Sequence, residues 1–431
     1  MDQISSSRRV VARYSLPAIF VCALLLRVLY VGVALEKLPP DTDAYLAIAS
    51  NLASGGGYNL EAGQPTAFRP PGYPLFLAFW KLLAPSPWAP LYLQAVLGAS
   101  VVFMAARMGR MLVGKVFGLF AAIAVAVDPF QIAACGEFMT ECLQTFLVAG
   151  AFLLLLRALR ARYLLRYVLA GLAAGAAGLT RPEFLVFLPG AVSAVILWGR
   201  RGYKAAGVAA LLAAGLLLPG LWGVRNSAAL AGSEGRRARV FTTTHGGYTH
   251  LLAYNEVFYS EVVAGPYRTW PRASLESWQK DLDEATGGMS EAERDRYYSR
   301  RAREFTAQHP PRAARVAVFE MGRFWAPFPH SAPRNAALAL GAFFLVLAGL
   351  AAAGIYVGWG RSLLVPLIVY VLAAETLVHA YYWSNIRMRV PFHPLLAVLA
   401  AAGVAALFGR SALVGEPVKA AEEETLYSPA T

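Results

Sequence analysis

The chain has 431 residues, of which 57% are hydrophobic and 15% charged, and its mean hydropathy is +0.48. One soluble core cannot bury that much apolar surface, so the composition excludes a soluble globular protein and indicates a polytopic membrane protein. The formal net charge of +13 follows from membrane topology, as argued below, and does not indicate a nucleic-acid partner.

Apolar runs long enough to cross a bilayer as helices recur along the chain and are separated by short breaks that contain Arg, Pro or Gly. The first run is too long for a signal peptide and has no small-residue cleavage site before PPDTD, so we predict a retained anchor. In total we predict about ten spans, at roughly 14–34, 88–106, 116–134, 141–157, 164–180, 183–199, 204–222, 336–357, 362–383 and 391–409.

The Lys and Arg residues of the short loops concentrate in alternate loops, which the positive-inside rule assigns to the cytoplasm. We therefore predict a multi-pass protein of the plasma (inner) membrane with both termini cytoplasmic. The predicted parts are a transmembrane catalytic core (1–222) with a first outer loop (35–87), an extracytoplasmic domain (223–335), C-terminal spans (336–409) and a cytoplasmic tail (410–431).

The polar stretch 223–335 is long enough to be a domain. Within it, Ser290 and Glu293 form a capping box at the start of a charged helix, which His309 and two prolines should end. The segment FTTTHGGYTHLLAYN (241–255) has Gly-Gly turn chemistry and is predicted as a loop or short strand. The predicted fold class is thus an all-α polytopic membrane protein with a mixed extracytoplasmic domain between spans seven and eight.

Charged residues at the outer ends of spans are exceptions to the positive-inside rule and need a reason. In several cases a proline follows an arginine closely, which would hold the cation on a constrained loop at the end of a helix. One explanation is that these arginines only reach lipid headgroups. Together with nearby acids, however, they favour a membrane cavity for a lipid phosphate. The residues concerned are Arg69, Arg181, Arg225, Arg387 and Arg389, with Asp41, Asp43, Glu137 and Glu141.

Three cysteines, Cys22, Cys135 and Cys142, are too few for a disulfide framework. We expect all three to act as small apolar side chains that fill space in the protein interior. Cys135 and Cys142 lie near the outer face, however, and could pair in an oxidising compartment. Asp41 and Asp43 also have the D-x-D spacing that can bind a divalent ion in nucleotide-sugar transferases. Nucleotide sugars are not expected outside the cytoplasm, so we predict no required cofactor and no metal site.

Several motifs occur in a characteristic order along the chain: Asp41 and Tyr45 in DTDAYLAIASNL, Gly55 to Tyr58, Arg69 to Tyr73 in RPPGY, Glu141 in GEFMTECLQTF, Arg181 in GLTRPE, Arg225 and Asn226 in WGVRN, and the closing RMRVPFHP. In this order the sequence resembles the C-type (GT-C) integral-membrane glycosyltransferases. Within them it is similar to glycosyltransferase family 39, including the lipid A aminoarabinose transferase and the protein O-mannosyltransferases. Two positions depart from the family pattern, Thr42 in place of an acid and Met388 in place of a tyrosine.

The resemblance implies an inverting transfer of a monosaccharide from a polyprenyl-phosphate donor to a lipid, glycan or protein acceptor at the extracytoplasmic membrane face. Such a donor already carries a phosphate leaving group, so the site needs one carboxylate as a base and cations to hold the phosphate. Asp41 is the first choice for the base because it has the family's spacing to Tyr45, and Asp43 is the second. Either could instead cap the following helix, which suits Asp43 slightly better.

By the same resemblance Arg69 is the first choice for lipid-phosphate binding, followed by Arg181, Arg387 and Arg389. The expected substrate-orienting residues are Tyr45, Tyr73, Glu141, Arg225 and Asn226; Glu141 could equally cap a helix, and Arg225 could only tie the large loop to the seventh span. The expected partners are the donor, the acceptor and membrane lipids. The alternative function is a transporter or flippase of an anionic lipid-linked sugar, which the lack of repeat-related broken helices disfavours.

Overall fold

The computed structural model describes residues 2–37, 41, 43–61, 63–84, 86–160, 162–230, 239–329 and 332–409. The predicted cytoplasmic tail, 410–431, lies outside these residues. The helices are α1 (Asp2–Ala34), α2 (Tyr45–Ala53), α3 (Gly72–Leu83), α4 (Ala89–Val127), α5 (Pro129–Ala134), α6 (Glu141–Leu159), α7 (Leu165–Thr180), α8 (Phe187–Trp198), α9 (Lys204–Ala229), α10 (Gly246–Ala253), α11 (Glu256–Phe258), α12 (Arg272–Ala285), α13 (Glu291–Gln308), α14 (Pro310–Trp325), α15 (Arg334–Gly358), α16 (Leu364–Tyr381) and α17 (His393–Leu407). Short 3₁₀ turns at Leu35–Lys37, Pro182–Val186 and Ile386–Phe392 and a π turn at Tyr259–Val263 complete the helical elements.

Seven helical segments in the described part of the chain are long and apolar enough to cross a membrane. The protein is therefore an all-helical, multi-pass integral membrane protein. These segments are Ser15–Ala34, Ala89–Val127, Glu141–Leu159, Lys204–Ala229, Arg334–Gly358, Leu364–Tyr381 and Ile386–Leu407. Two further predicted spans, 164–180 and 183–199, coincide with shorter apolar helices, Leu165–Thr180 and Pro182–Trp198.

Helix α4 covers two predicted spans, and it folds back on itself at Gly114. As one straight helix its 39 residues would extend about 58 Å, roughly twice the thickness of the bilayer core. Gly114 has φ 83° and ψ 176°, a backbone conformation that favours glycine. A Cβ added at Gly109 would lie 3.0 Å from Gly118 Cα, although nine residues of straight helix separate Cα atoms by about 13 Å. The element is therefore a helical hairpin.

Glycines let helix backbones approach closely within the bundle. A Cβ added at Gly354 of α15 would collide with the carbonyl oxygen of Leu399 in α17, and one at Gly403 would collide with that of Leu350. Helices α7 and α9 meet in the same way at Gly171. Small residues at helix contacts are typical of membrane bundles, where apolar burial alone does not drive helices together.

The described residues between α9 and α15 form helices joined by turns and coil, and the expected mixed composition is wrong. The predicted capping box at Ser290 and Glu293 is confirmed. The predicted loop or short strand at 241–255 holds only at its two ends, 241–245 and 254–255, because Gly246–Ala253 forms helix α10. Gly247 of α10 packs against the Asp295 backbone of α13 with no room for a side chain. Tertiary packing thus overrides the local turn preference of the Gly-Gly pair.

The strands in the described residues form one short antiparallel hairpin in the first loop, β1 (Asn59–Glu61) and β2 (Gln64–Pro65). Two side chains fix this hairpin. Arg225 of α9 donates to the carbonyl oxygens of Tyr58 at 3.0 Å and Thr66 at 2.5 Å. Glu291, at the start of α13, accepts hydrogen bonds from Thr66 Oγ1 at 2.6 Å, from Ala67 N at 2.9 Å and from the Thr244 hydroxyl.

We expect Glu291→Ala to release the first loop. The change removes hydrogen bonds to a charged group, each contributing about 1.5–3 kcal/mol, and leaves partly buried donors unpaired. Hydrogen exchange of the peptide 58–69 should therefore become faster in the variant. Glu293→Ala is the matched control, since Glu293 lies in the same helical turn and bonds only to Ser290. Equal exchange of 58–69 in wild type and Glu291→Ala would contradict this description of the clamp.

Candidate functional site

A cavity of about 570 Å³ opens between the first loop, the junctions before α6 and α8, the start of α10 and the end of α16. It gathers six residues that the sequence pointed to, Asp43, Tyr45, Arg69, Glu141, Arg181 and Arg387. Residues that are far apart in the chain thus meet at one end of the helix bundle.

Asp43 and Arg69 form an ion pair in the wall of this cavity. Arg69 Nη2 lies 2.5 Å from Asp43 Oδ1, and Arg69 Nε donates to the Asp43 backbone oxygen at 2.9 Å. The guanidinium also covers the ring of Tyr45, 5.2 Å from its centroid. The Asp43 side chain is 28% exposed and the Arg69 side chain 12%. The carboxylate is therefore the more accessible member of the pair.

Asp41 lies outside the residues that line this cavity. Its side chain is exposed, and its Oδ2 accepts a hydrogen bond from Ala47 N, in the first turn of α2, at 3.0 Å. This contact satisfies one of the free amide groups at the helix start. The capping role, for which the sequence slightly favoured Asp43, therefore belongs to Asp41.

Glu141 joins two arginines at the centre of the cavity. It starts α6 and its side chain is only 3% exposed. Its Oε1 lies 3.0 Å from Arg387 Nε and 3.8 Å from Arg181 Nη1. Among the described residues, its Oε2 has no hydrogen-bond partner. A buried carboxylate between two guanidinium groups fixes their spacing and leaves one oxygen free for a ligand.

Each arginine of the cavity already has an acid beside it. Arg181 Nε contacts Glu183 Oε1 at 2.5 Å, and Arg387 Nη1 lies 3.6 Å from Glu137 Oε2. A phosphate would therefore have to share these arginines with carboxylates. Arg387, whose side chain is 39% exposed, is the most accessible of the three.

Burial controls the ionisation of the neighbouring polar groups. It raises the pKa of Tyr45 to about 12, with Arg69 opposing, so this phenol stays neutral. Burial, assisted by Arg69, holds the pKa of His245 well below its ordinary value. Burial raises the pKa of Glu137, although Arg387 opposes the shift. The neutral groups Tyr45 and His245 therefore add hydrogen-bonding capacity near Arg69 without adding charge.

The remaining predicted site residues point elsewhere. Tyr73 is buried and donates to Gln94 Oε1 at 2.7 Å. Arg225 holds the first loop and not the large loop, to which its alternative role would have tied it, whereas Asn226 donates to the Thr242 backbone oxygen at 3.4 Å. Arg389 is buried, donates to the backbone oxygens of Phe324 and Ala326, and stacks on Phe344 at 3.7 Å. In this structure these four residues contact protein groups and do not line the cavity.

Cys135 and Cys142 are buried free thiols with their sulfur atoms 3.4 Å apart. Both donate to the backbone oxygen of Gln94. No group of three or more His, Cys, Asp or Glu residues in the described ranges is arranged to hold a metal ion. The expectation that no cofactor is required stays a prediction.

Several cavity residues were missed in the sequence, among them His245, His379, Tyr382 and Trp383. An ionisable residue within an apolar helix is a signal of function, and this signal could have identified His379 in α16. The aromatic run before SNIRMR carries no comparable signal, because tyrosine and tryptophan are common at membrane interfaces without any chemical role.

The loop that leads to Arg387 is anchored by Glu320 of α14. Glu320 is fully buried, accepts a hydrogen bond from Ser384 N at 2.7 Å and pairs with Arg323 at 3.1 Å. Burial raises the pKa of Glu320 to about 7, although Arg323 opposes the shift.

This raised pKa predicts a pH-dependent stability. The folded protein holds the Glu320 proton more tightly than the unfolded chain, whose pKa is near 4.5. The Glu320 contribution to the free energy of unfolding should therefore fall as the pH rises from about 4.5 to about 7. Glu320→Gln should lose this pH-dependent contribution to the free energy of unfolding. We would measure it as the difference in unfolding temperature between pH 5 and pH 7.5 in detergent. Glu276→Gln, a change at an exposed side chain, serves as control. An unchanged pH response in Glu320→Gln would contradict the assignment of this pH dependence to Glu320.

Comparison with known proteins finds one family model that matches part of the chain. Residues 68–223 match the family model described as dolichyl-phosphate-mannose-protein mannosyltransferase. No curated protein matches the chain significantly.

Among solved structures, the chain is similar to the oligosaccharyltransferase of Archaeoglobus fulgidus in its apo form, with TM-score 0.54 and 16% identity over 97% of this chain and 53% of that one. The same enzyme, AglB, in complex with an inhibitory peptide and a dolichol-phosphate gives TM-score 0.52 and 15% identity over 98% and 53%. The chain thus spans about half the length of that enzyme, and at this identity the likeness concerns the fold alone.

ArnT from Cupriavidus metallidurans bound to undecaprenyl phosphate shares 16% identity over 92% of this chain and 79% of that one, with a TM-score of 0.39 that is too low to support an argument. The family match and the fold shared with the oligosaccharyltransferase agree with the motifs in the sequence. The resemblance of this chain to the C-type membrane glycosyltransferases of the family-39 type is thereby confirmed over residues 68–223, and beyond them the likeness is one of fold.

Proposed function

We propose that the protein is an inverting glycosyltransferase that moves a monosaccharide from a polyprenyl-phosphate donor to a lipid, glycan or protein acceptor at the extracytoplasmic membrane face. The observation that carries this proposal is the single cavity that unites an accessible carboxylate, Asp43, with three arginines, Arg69, Arg181 and Arg387. A base and phosphate-binding cations are what this reaction requires from a protein. The family match and a relative solved with a dolichol-phosphate support the donor class.

In this mechanism Asp43 is the base. Its Oδ1 is held by Arg69, which leaves Oδ2 to accept the proton of the acceptor hydroxyl. The acceptor oxygen then forms a bond to the anomeric carbon as the bond between that carbon and the phosphate oxygen breaks. The electron pair leaves with the polyprenyl phosphate, and attack opposite the leaving group inverts the anomeric configuration. Asp41 keeps the start of α2 in place and takes no part in proton transfer.

Arg387 and Arg181 bind the phosphate, with Glu141 holding both side chains. Arg387 is the first arginine that the incoming phosphate contacts, because its side chain is the most exposed of the three. Guanidinium groups suit this task, since their planar donors match phosphate oxygens and stay charged at any working pH. Arg69 orients Asp43 and adds positive charge beside the leaving group.

The helices make ten membrane crossings if the α4 hairpin contributes two and the shorter apolar helices Leu165–Thr180 and Pro182–Trp198 contribute one each. With the positive-inside orientation, both termini then lie in the cytoplasm and the cavity opens outside.

Cysteine labelling tests this orientation. In intact cells an impermeant maleimide should label Lys280→Cys, on the exposed face of α12, and should reach Arg361→Cys only after the membrane is permeabilised. Both positions are exposed in the structure, so access to the reagent depends on the side of the membrane. The reverse pattern would overturn the proposed orientation.

The proposed function is tested by offering the purified protein a panel of polyprenyl-phosphate sugars together with mixed membrane lipids and peptides. Release of free polyprenyl phosphate by wild type and not by Asp43→Asn supports a transferase and identifies its donor. Saturable donor binding without release from any donor would contradict it and favour a transporter.

A further inference from the structure

Buried polar atoms without partners gather near the end of α16, in a part of the cavity that the mechanism above does not use. Both ring nitrogens of His379 and the indole nitrogen of Trp383 have no hydrogen-bond partner among the described residues. The His379 side chain is almost fully buried, and both residues line the cavity. Buried polar groups in proteins are nearly always hydrogen-bonded, so this cluster calls for a partner that occupies the cavity.

The two residues are held in place by contacts to their ring faces and to the backbone. The His379 ring stacks on Phe324, with 4.5 Å between centroids and 19° between planes. The Trp383 backbone nitrogen donates to the Thr249 oxygen at 3.2 Å, and the Arg323 guanidinium covers its ring at 5.0 Å. These contacts use the ring faces and the backbone, so they leave the ring nitrogens without a hydrogen-bond partner.

The charges around His379 define the ligand class. Glu183 lines the cavity beside it. Arg181 is the arginine paired with Glu183. With the donor phosphate on Arg181, that cation is shared between Glu183 and the phosphate, so a carboxylate on the sugar would meet the negative charge of both. The carboxylate acceptor and the indole donor instead suit hydroxyl groups, which both donate and accept.

We infer that His379, Trp383 and Glu183 form a subsite that binds the hydroxyl groups of the donor's sugar and selects a sugar without a carboxylate over a uronic acid. The inference rests on the proposed function and deepens it. The sugar is bonded directly to the phosphate, so with the phosphate on Arg181 the ring falls beside Glu183, whose carboxylate contacts Arg181 at 2.5 Å. His379 and Trp383 are therefore specificity residues, and Asp43 remains the base.

Two conservative variants test the subsite. Trp383→Phe keeps an aromatic ring and removes only the indole donor, and His379→Gln keeps a polar side chain while displacing the ring nitrogens. The measurement is the dissociation constant of a polyprenyl-phosphate hexose, of the matching hexuronic acid and of sugar-free polyprenyl phosphate. His309→Gln, outside the cavity lining, is the control.

Wild type should bind the hexose at least ~10-fold more tightly than the hexuronic acid. Each cavity variant should weaken hexose binding by about 10-fold or more and leave the affinity for sugar-free polyprenyl phosphate within about 2-fold, since each removes one hydrogen bond to the sugar alone. Equal losses for the hexose and for the sugar-free lipid would overturn the subsite, as would an unchanged hexose affinity. These are binding readouts, so they decide the inference even where wild type releases no polyprenyl phosphate and the proposed function itself fails.

Discussion

Asp43→Asn is expected to slow sugar transfer by about 10²- to 10⁴-fold, the usual contribution of a positioned general base. The amide keeps the shape of the side chain and can still accept from Arg69, so donor binding should change little. The measurement is the single-turnover rate of polyprenyl phosphate release, together with the donor dissociation constant.

Asp41→Asn is the matched control for this experiment, two residues away in the same loop. Asparagine caps helices about as well as aspartate, so the hydrogen bond from Ala47 N should persist. Transfer by this variant should stay within about 2-fold of wild type. Loss of transfer in Asp41→Asn with full activity in Asp43→Asn would return the base to Asp41 and contradict the geometry of the cavity.

Arg387→Ala should weaken donor binding by about 10- to 100-fold. The variant loses a charge-assisted contact to the phosphate, which contributes about 1.5–3 kcal/mol, and leaves Glu141 with Arg181 as its remaining cation. Arg387→Lys keeps the charge without the planar donors and should recover part of the affinity. Donor affinity of the purified variants, measured at one fixed salt concentration, is the readout.

Arg389→Lys provides the contrast within the same motif. Arg389 donates to the Phe324 and Ala326 backbone oxygens inside the protein. A lysine cannot reproduce both bonds and the stacking on Phe344, so the unfolding temperature should fall while donor affinity stays near wild type. A large loss of donor affinity in Arg389→Lys with none in Arg387→Ala would contradict the assignment of these two arginines.

The membrane class and the positions of most apolar helices could be predicted from the sequence, because a spanning helix is specified by a local run of apolar residues. The break between the second and third predicted spans was visible for the same reason. The close return of the chain at Gly114 was not visible, since it depends on the contact between Gly109 and Gly118. Helix α10 was missed because its packing on α13, 48 residues later at Asp295, outweighs its local turn signal.

The site was predictable in composition but not in detail. The sequence drew attention to Asp43, Arg69, Glu141, Arg181 and Arg387, which the fold brings together in one cavity. Local spacing could not tell which aspartate caps α2, because the answer depends on Arg69, 26 residues away. Nor could it separate Arg387 from Arg389, which a 3₁₀ turn directs to the cavity and to the protein interior. Unpaired groups such as those of His379 become visible only when their surroundings are known.

The most direct test of the central claim is the stoichiometry of the reaction in proteoliposomes. A donor labelled in both the sugar and the lipid is supplied with acceptor, and the free polyprenyl phosphate and the glycosylated acceptor are quantified in the same sample. We predict one polyprenyl phosphate released for each sugar attached, with both products formed at least about 10²-fold more slowly in Asp43→Asn. Passage of the intact donor from one leaflet to the other, with the sugar still on its phosphate and no glycosylated acceptor, would contradict the account.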